Sequence, residues 1–239
     1  RYVALKPVVD FTFSDRSVHQ LWIVDAEDDL NIIVSAFADM PEVYIADGHH
    51  RIASMANMLK NKYFSTAYFN TDKIQILSYN RLVRDLASLN IDDFLKSIEK
   101  HFSMQQVDAP VVPAHIHEFG MYVGVSWYRL TALSHTYQEP TPIAVLDVSI
   151  LQDYVLKPIL KIKDPRTDAR ITFEGGKTPV GELQRQVDHG NYAVVFTLYP
   201  TSVQQLIAVA DANGVMPPKS TWVEPKFLVG MLTNKMRNS

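Results

Sequence analysis

The chain has 239 residues, 47% hydrophobic and 21% charged, an ordinary globular composition with apolar material enough for one large domain or two small ones. A net charge of −3 and an isoelectric point near 6.2 argue against a broad nucleic-acid surface, and the lack of cysteine excludes disulfides and thiol chemistry, as suits a cytoplasmic protein. No apolar run reaches the roughly 18 residues of a membrane span and no charged-then-apolar leader opens the chain, so no membrane partner is expected. The first residue is Arg1, so the sequence reads as part of a longer protein whose N-terminal region is missing.

Strand-like pieces at Val8 to Phe13 and Gln20 to Val24 come first, separated by a polar stretch. Asp28 to Met40 reads as a helix with Leu30, Ile33, Val34 and Phe37 on one face, ending at Pro41. Val43 to Ala46 is apolar and partly β-branched, and from Ile52 the apolar residues recur at Met55, Ala56 and Leu59. The period changes from strand-like to helix-like across Asp47-Gly48-His49-His50-Arg51, which predicts strand, tight turn and helix in a β-α-β setting. Gly48 suits the sharp turn, and Asp47 suits a cap on the first helical N–H groups. A helix N-terminus favours anions, yet this one carries Arg51 and two histidines in its first turn. Free N–H groups, a guanidinium and two imidazoles converging there describe a phosphate site. The same letters also fit a plain turn in which Asp47 only caps and Arg51 pairs with a surface carboxylate. Adjacent histidines point in different directions, so a shared metal on His49 and His50 is not expected.

A strand is expected near Ile74 to Tyr79, followed by Arg81 and Arg84, which would extend the anion site if they share a face and are otherwise solvated charges. Asn90 opens a helix with Phe94, Leu95, Ile98 and Phe102 on its apolar side. Val107 to Ala114, with two prolines and no periodicity, reads as a linker. It would separate a part spanning residues 1–106 from a mixed α/β part spanning 115–239. Glu118 to Val123 and Trp127 to Leu133 form a hairpin by spacing, and His115 and His117 read as structural histidines for want of a third ligand. A helix is expected over Ile150 to Val155, and Asp164 to Asp168 reads as a charged turn. Gly176-Lys177-Thr178 is not a phosphate-binding loop, because the glycine such a loop needs five positions earlier is Ile171. A helix capped at Thr178, a strand from Ala193 to Leu198 and a helix capped at Thr201 or Ser202 follow. Three prolines then stiffen Met216 to Lys226, a segment suited either to a structural crossover or to presenting Lys219, Ser220, Thr221, Glu224 and Lys226 to a ligand.

Tyr44 to Arg51 resembles the signature of a widespread bacterial and archaeal family of uncharacterised proteins, the domain of unknown function 1015, itself similar to the ParB-like and sulfiredoxin-like superfamily. The likeness returns at Tyr79-Asn80-Arg81, His117 to Tyr122, Asp164 to Asp168 and Met216 to Lys226. Val223 departs from it, where an aromatic is expected. The resemblance implies an α/β fold, a ParB/sulfiredoxin-like β-α-β core with a second mixed half packed on it. It further implies a kinase or phosphatase acting on serine or phosphoserine with ATP or ADP and magnesium. In that reading Gly48, His49, His50 and Arg51 hold the phosphoryl group and Asp47 acts as base or magnesium ligand, with His50 as a second catalytic candidate. Lys219, Ser220, Thr221 and Lys226 close the pocket, and Arg81 and Glu224 add contacts. The superfamily's kinases use a glutamate upstream of the turn; Glu27 and Glu42 lie upstream here but in no recognisable motif, and the missing N-terminal region is the other place for it. The other reading the resemblance permits is a ParB-type nucleotide-binding regulatory module without turnover. Such a module reads DNA, and the sequence shows neither a helix-turn-helix nor a basic stripe.

Overall fold

The computed structural model describes residues 1–14, 16–48, 51, 52, 54, 55, 65–226, 230 and 232. The chain divides into two compact units, Arg1–Ile45 and Ala46–Ser239. In the first, β1 (Val9–Thr12) and β2 (Val18–Leu21) pair antiparallel, with Asp10 opposite Gln20 and Phe11 opposite His19. The predicted helix is present as α1 (Glu27–Ala38), with three acidic residues favouring its N-terminal end. Asp29 in that turn accepts from Arg1 at 2.8 Å and from the Tyr2 hydroxyl at 2.7 Å. The predicted strand at Val43 to Ala46 is not formed. These residues pair with no described strand, and a strand exists only through its ladder, which β-propensity alone does not supply.

The second unit is a mixed α/β fold built on a six-stranded antiparallel sheet in the order β5-β7-β6-β9-β4-β8. Its strands are β4 (Tyr79–Val83), β5 (Phe102–Val107), β6 (Glu118–Val123), β7 (Ser126–Ala132), β8 (Ile171–Gly175) and β9 (Val194–Leu198). The hairpin β6–β7 turns at Gly124, whose φ of +62° is the left-handed conformation a two-residue turn needs. β4, from one side of residues 107–114, pairs with both β8 and β9 from the other, so one sheet is shared by both predicted halves. The 107–114 segment is also no bare linker. Val111 is buried against Tyr122 and Trp127, and its carbonyl accepts the Thr197 hydroxyl at 2.7 Å.

Both sheet faces are covered, as strands buried on two sides require. On one face Val83, Phe119, Met121 and Phe196 pack with α2 (Ile91–Ile98) and with α3 (Asp147–Leu151), which continues as a π turn over Gln152–Leu156. On the other, Leu82, Tyr122 and Val195 meet Leu183 and Val187 of α4 (Val180–Asp188). The caps follow the sequence in part. Asn90 caps α2, and Ser202 opens α5 (Val203–Asp211) with a reciprocal box to Gln205, whereas Thr178 does not cap α4 and donates instead to Glu174 at 3.3 Å. Gly120 permits the close approach of β6 to its neighbours. A Cβ there would lie 2.2 Å from Thr197 Oγ1 and 2.8 Å from the Val111 carbonyl oxygen. Gly120→Ala is therefore expected to destabilise the protein by roughly 1–3 kcal/mol in a denaturant titration.

Candidate functional site

The C-terminal motif enters the fold as a short strand. β10 (Trp222–Glu224) pairs antiparallel with β3 (Gln75–Leu77), Val223 opposite Ile76, immediately before β4 begins. Val223 is buried there, so the position that departs from the family pattern serves packing. Trp222 lies against β8. A Cβ on Gly175 would sit 2.3 Å from its ring, and the ring contacts Tyr79 with centroids 5.3 Å apart. Each of these two rings has a lysine ammonium above it: Lys219 over Tyr79 at 5.3 Å and Lys226 over Trp222 at 5.4 Å. Trp222 Nε1 donates to Glu224 at 2.6 Å, the Lys177 ammonium pairs with Glu224 at 2.9 Å, and the Lys226 backbone N–H donates to it at 3.1 Å. Burial works against the Glu224 charge, but the Trp222 and Lys177 contacts outweigh it and hold the carboxyl below its usual range. Glu224 thus organises the loop.

The turn meets this loop directly. Lys226 Nζ pairs with Asp47 Oδ2 at 2.9 Å although 179 residues separate them, and Asp47 Oδ1 accepts the Gly48 N–H at 2.7 Å. Gly48 has a φ of +84°, its carbonyl accepts the Ile52 N–H at 3.0 Å, and Arg51 and Ile52 are helical. The Arg51 guanidinium folds back over Gly48 so closely that a Cβ there would be 3.1 Å from its Nη2. Burial raises the Asp47 pKa, but Lys226, the Gly48 N–H and Arg51 together prevail and lower it. The Asp47 pair with Lys226 contributes above the unfolded carboxyl value of about 3.9 and loses that contribution as pH falls through the lower folded value. A carboxyl NMR titration should place Asp47 below that unfolded value, and Lys226→Ala should move it upward.

His49 and His50 lie outside the described residues. Ser220 is buried, donates its hydroxyl to the Pro217 carbonyl at 2.5 Å, and has its own carbonyl held by Thr201 at 3.2 Å, so it ties the loop together. Thr221 is half-buried beside it. Lys219 is exposed and adopts φ +56°, a left-handed conformation uncommon for a side chain of its kind. Its carbonyl accepts from Arg81 Nη2 at 3.0 Å. Arg81 is not a solvated charge. It is 3% exposed, donates also to the Tyr79 carbonyl, and lies 5.2 Å from the Phe173 ring. Arg84 is on the opposite face, 5.4 Å from Tyr192, because side chains alternate along and just beyond β4, so the two arginines do not form one site. His115 pairs with Glu118 at 3.1 Å and His117 with Asp147 at 3.2 Å, in separate contacts. Among the described residues no three His, Asp or Glu side chains gather as a metal site. Glu42 accepts the Tyr44 hydroxyl at 2.7 Å and Glu27 stands in the first turn of α1, both within the first unit.

The chain belongs to the family described as Protein of unknown function (DUF1015), whose model matches residues 2–149. No curated protein matches it. Among solved structures, a free serine kinase mutant in complex with AMP is similar at 13% identity and TM-score 0.40, covering 84% of this chain and 81% of that one. A conserved hypothetical protein from Pyrococcus furiosus is similar at 12% identity and TM-score 0.42, covering 82% and 81%. A free serine kinase mutant in complex with ADP is similar at 14% identity and TM-score 0.39, covering 84% and 81%. Likenesses this distant say nothing about activity. No described helix is long and apolar enough to cross a membrane.

Proposed function

We propose that this protein handles phosphate at the turn from Asp47 to Arg51, as a nucleotide-dependent kinase or a phosphatase acting on free serine or phosphoserine. The observation that carries the reading is the 2.9 Å contact between Lys226 and Asp47, which gathers a cation from one end of the unit onto the turn at the other. Both partners are largely exposed, and an exposed pair contributes only about 0–1 kcal/mol, so holding the fold together is a weak reason for it. A phosphate arriving at the turn would meet Lys226 and Arg51, and would compete with Asp47 for the Lys226 ammonium. Phosphoryl transfer rests mainly on such positioning and charge neutralisation. Asp47, ionised, fits the single carboxylate through which the magnesium of a bound nucleotide is commonly held. The serine substrate follows from the resemblance of the turn to the ParB-like and sulfiredoxin-like superfamily. Incubating the protein with ATP or ADP, magnesium and serine, and in the reverse direction with phosphoserine, tests it by phosphorus NMR. Growth or loss of the phosphoserine signal is expected; binding of nucleotide with no change in either direction would indicate a regulatory module instead.

A further inference from the structure

A cavity of about 290 Å³ opens beside Arg81, near the lower end of the roughly 300–1,000 Å³ typical of small-molecule sites. Arg81 forms its inner wall and is the one deeply buried cation of the described residues. Its partners among those residues are two backbone carbonyls and the Phe173 ring, none of them negatively charged. Burial lowers its pKa to about 9, which leaves it protonated at neutral pH. A buried guanidinium without a counter-charge is costly, and it retains donors beyond the two these carbonyls use. Lys163 and Arg166 also line it, the latter already paired through its side chain with both carboxylate oxygens of Asp164, whose carboxyl it holds down to about 2.

A second group on the wall is also incomplete. The Gln152 amide nitrogen donates to the Ile162 carbonyl at 3.0 Å, while its Oε1 is buried with no hydrogen-bond partner. Gln152 and Leu156 line the cavity from the two ends of the π turn, a distortion frequent at functional sites. Val148, Pro165, Phe173, Pro217 and Pro218 supply apolar wall, and Asp164 also lines the cavity, its carboxylate bonded to Arg166. We infer that this cavity binds a small carboxylate bearing a hydroxyl or amino group, its carboxylate on Arg81 and its donor on Gln152 Oε1. A planar carboxylate matches the guanidinium fork with one charge, whereas a dianionic phosphate would be left under-neutralised between apolar walls. The inference is independent of phosphate handling at Asp47 to Arg51, and Lys226→Ala leaves it untouched.

Calorimetric titration of the full chain with lactate, alanine, propionate, inorganic phosphate and sulfate at constant ionic strength tests it. Lactate or alanine should bind, propionate roughly tenfold more weakly because Gln152 Oε1 stays unpaired, and phosphate and sulfate no better than propionate. Arg81→Gln should weaken the best ligand by roughly tenfold or more. If that variant does not fold, the decision passes to Lys163→Glu, at an exposed lining residue, which should lower affinity for the same ligand by about threefold or more. No heat with any carboxylate up to roughly 10 mM, phosphate or sulfate binding as tightly as lactate and alanine, or unchanged affinity in the folded variant would each overturn the inference.

Discussion

Trp222→Ala should destabilise the protein by about 3 kcal/mol in a denaturant titration and at the same time abolish the order of the C-terminal loop. The ring fills the space over Gly175, contacts Tyr79, donates to Glu224 and lies beneath the Lys226 ammonium. Removing it leaves a cavity against β8 and unpairs Glu224 from one of its three donors. β10 pairs only with β3 among the described strands, and the Trp222 ring packs beside that single pairing. Nucleotide affinity should fall with stability in this variant. Trp222→Phe, which keeps the packing and loses the N–H, should recover most of the stability. Near-wild-type stability in Trp222→Ala would show that the loop is held by other contacts.

Lys226→Ala should have the converse profile. Its partner is an exposed aspartate, so the change in stability should stay below about 1 kcal/mol, while affinity for a nucleotide or phosphoserine should drop roughly tenfold or more. Equilibrium unfolding and calorimetry on the same sample separate the two effects. A large stability loss with unchanged affinity would make the Asp47 contact a structural strut.

Much of the architecture was legible because period and punctuation agreed. The β6–β7 hairpin follows from the spacing of two strand-like runs around Gly124, and α5 from a cap at Thr201 or Ser202 ahead of a helical apolar pattern, Ser202 being the cap that forms. From the sequence, Lys219 is the residue expected to bring the C-terminal motif to the turn, and the contact found is made by Lys226. What failed was tertiary. Val43 to Ile45 has strand composition but no ladder partner among the described strands, and Val111 sits in a proline-flanked segment whose burial depends on Tyr122 and Trp127, distant in sequence. Arg81 was the largest miss in kind. A charge in a strand reads as solvated unless its face is known, and only the alternation of Leu82 and Val83 between the two cores reveals that Arg81 points inward. Ser220 shows the same limit, since a hydroxyl offered to a ligand and one closing its own loop look alike in a sequence.

In the proposed function Arg51 and Lys226 act on one phosphate. A double-mutant cycle on ADP binding, measured by calorimetry with magnesium for the wild type, Arg51→Ala, Lys226→Ala and the double variant, tests it most directly. Each single change should weaken binding by roughly 1–3 kcal/mol, and the pair should fall short of additivity by about 0.5 kcal/mol or more, as groups sharing one ligand do. Absence of ADP binding in the wild type, or strictly additive losses, would contradict a shared site.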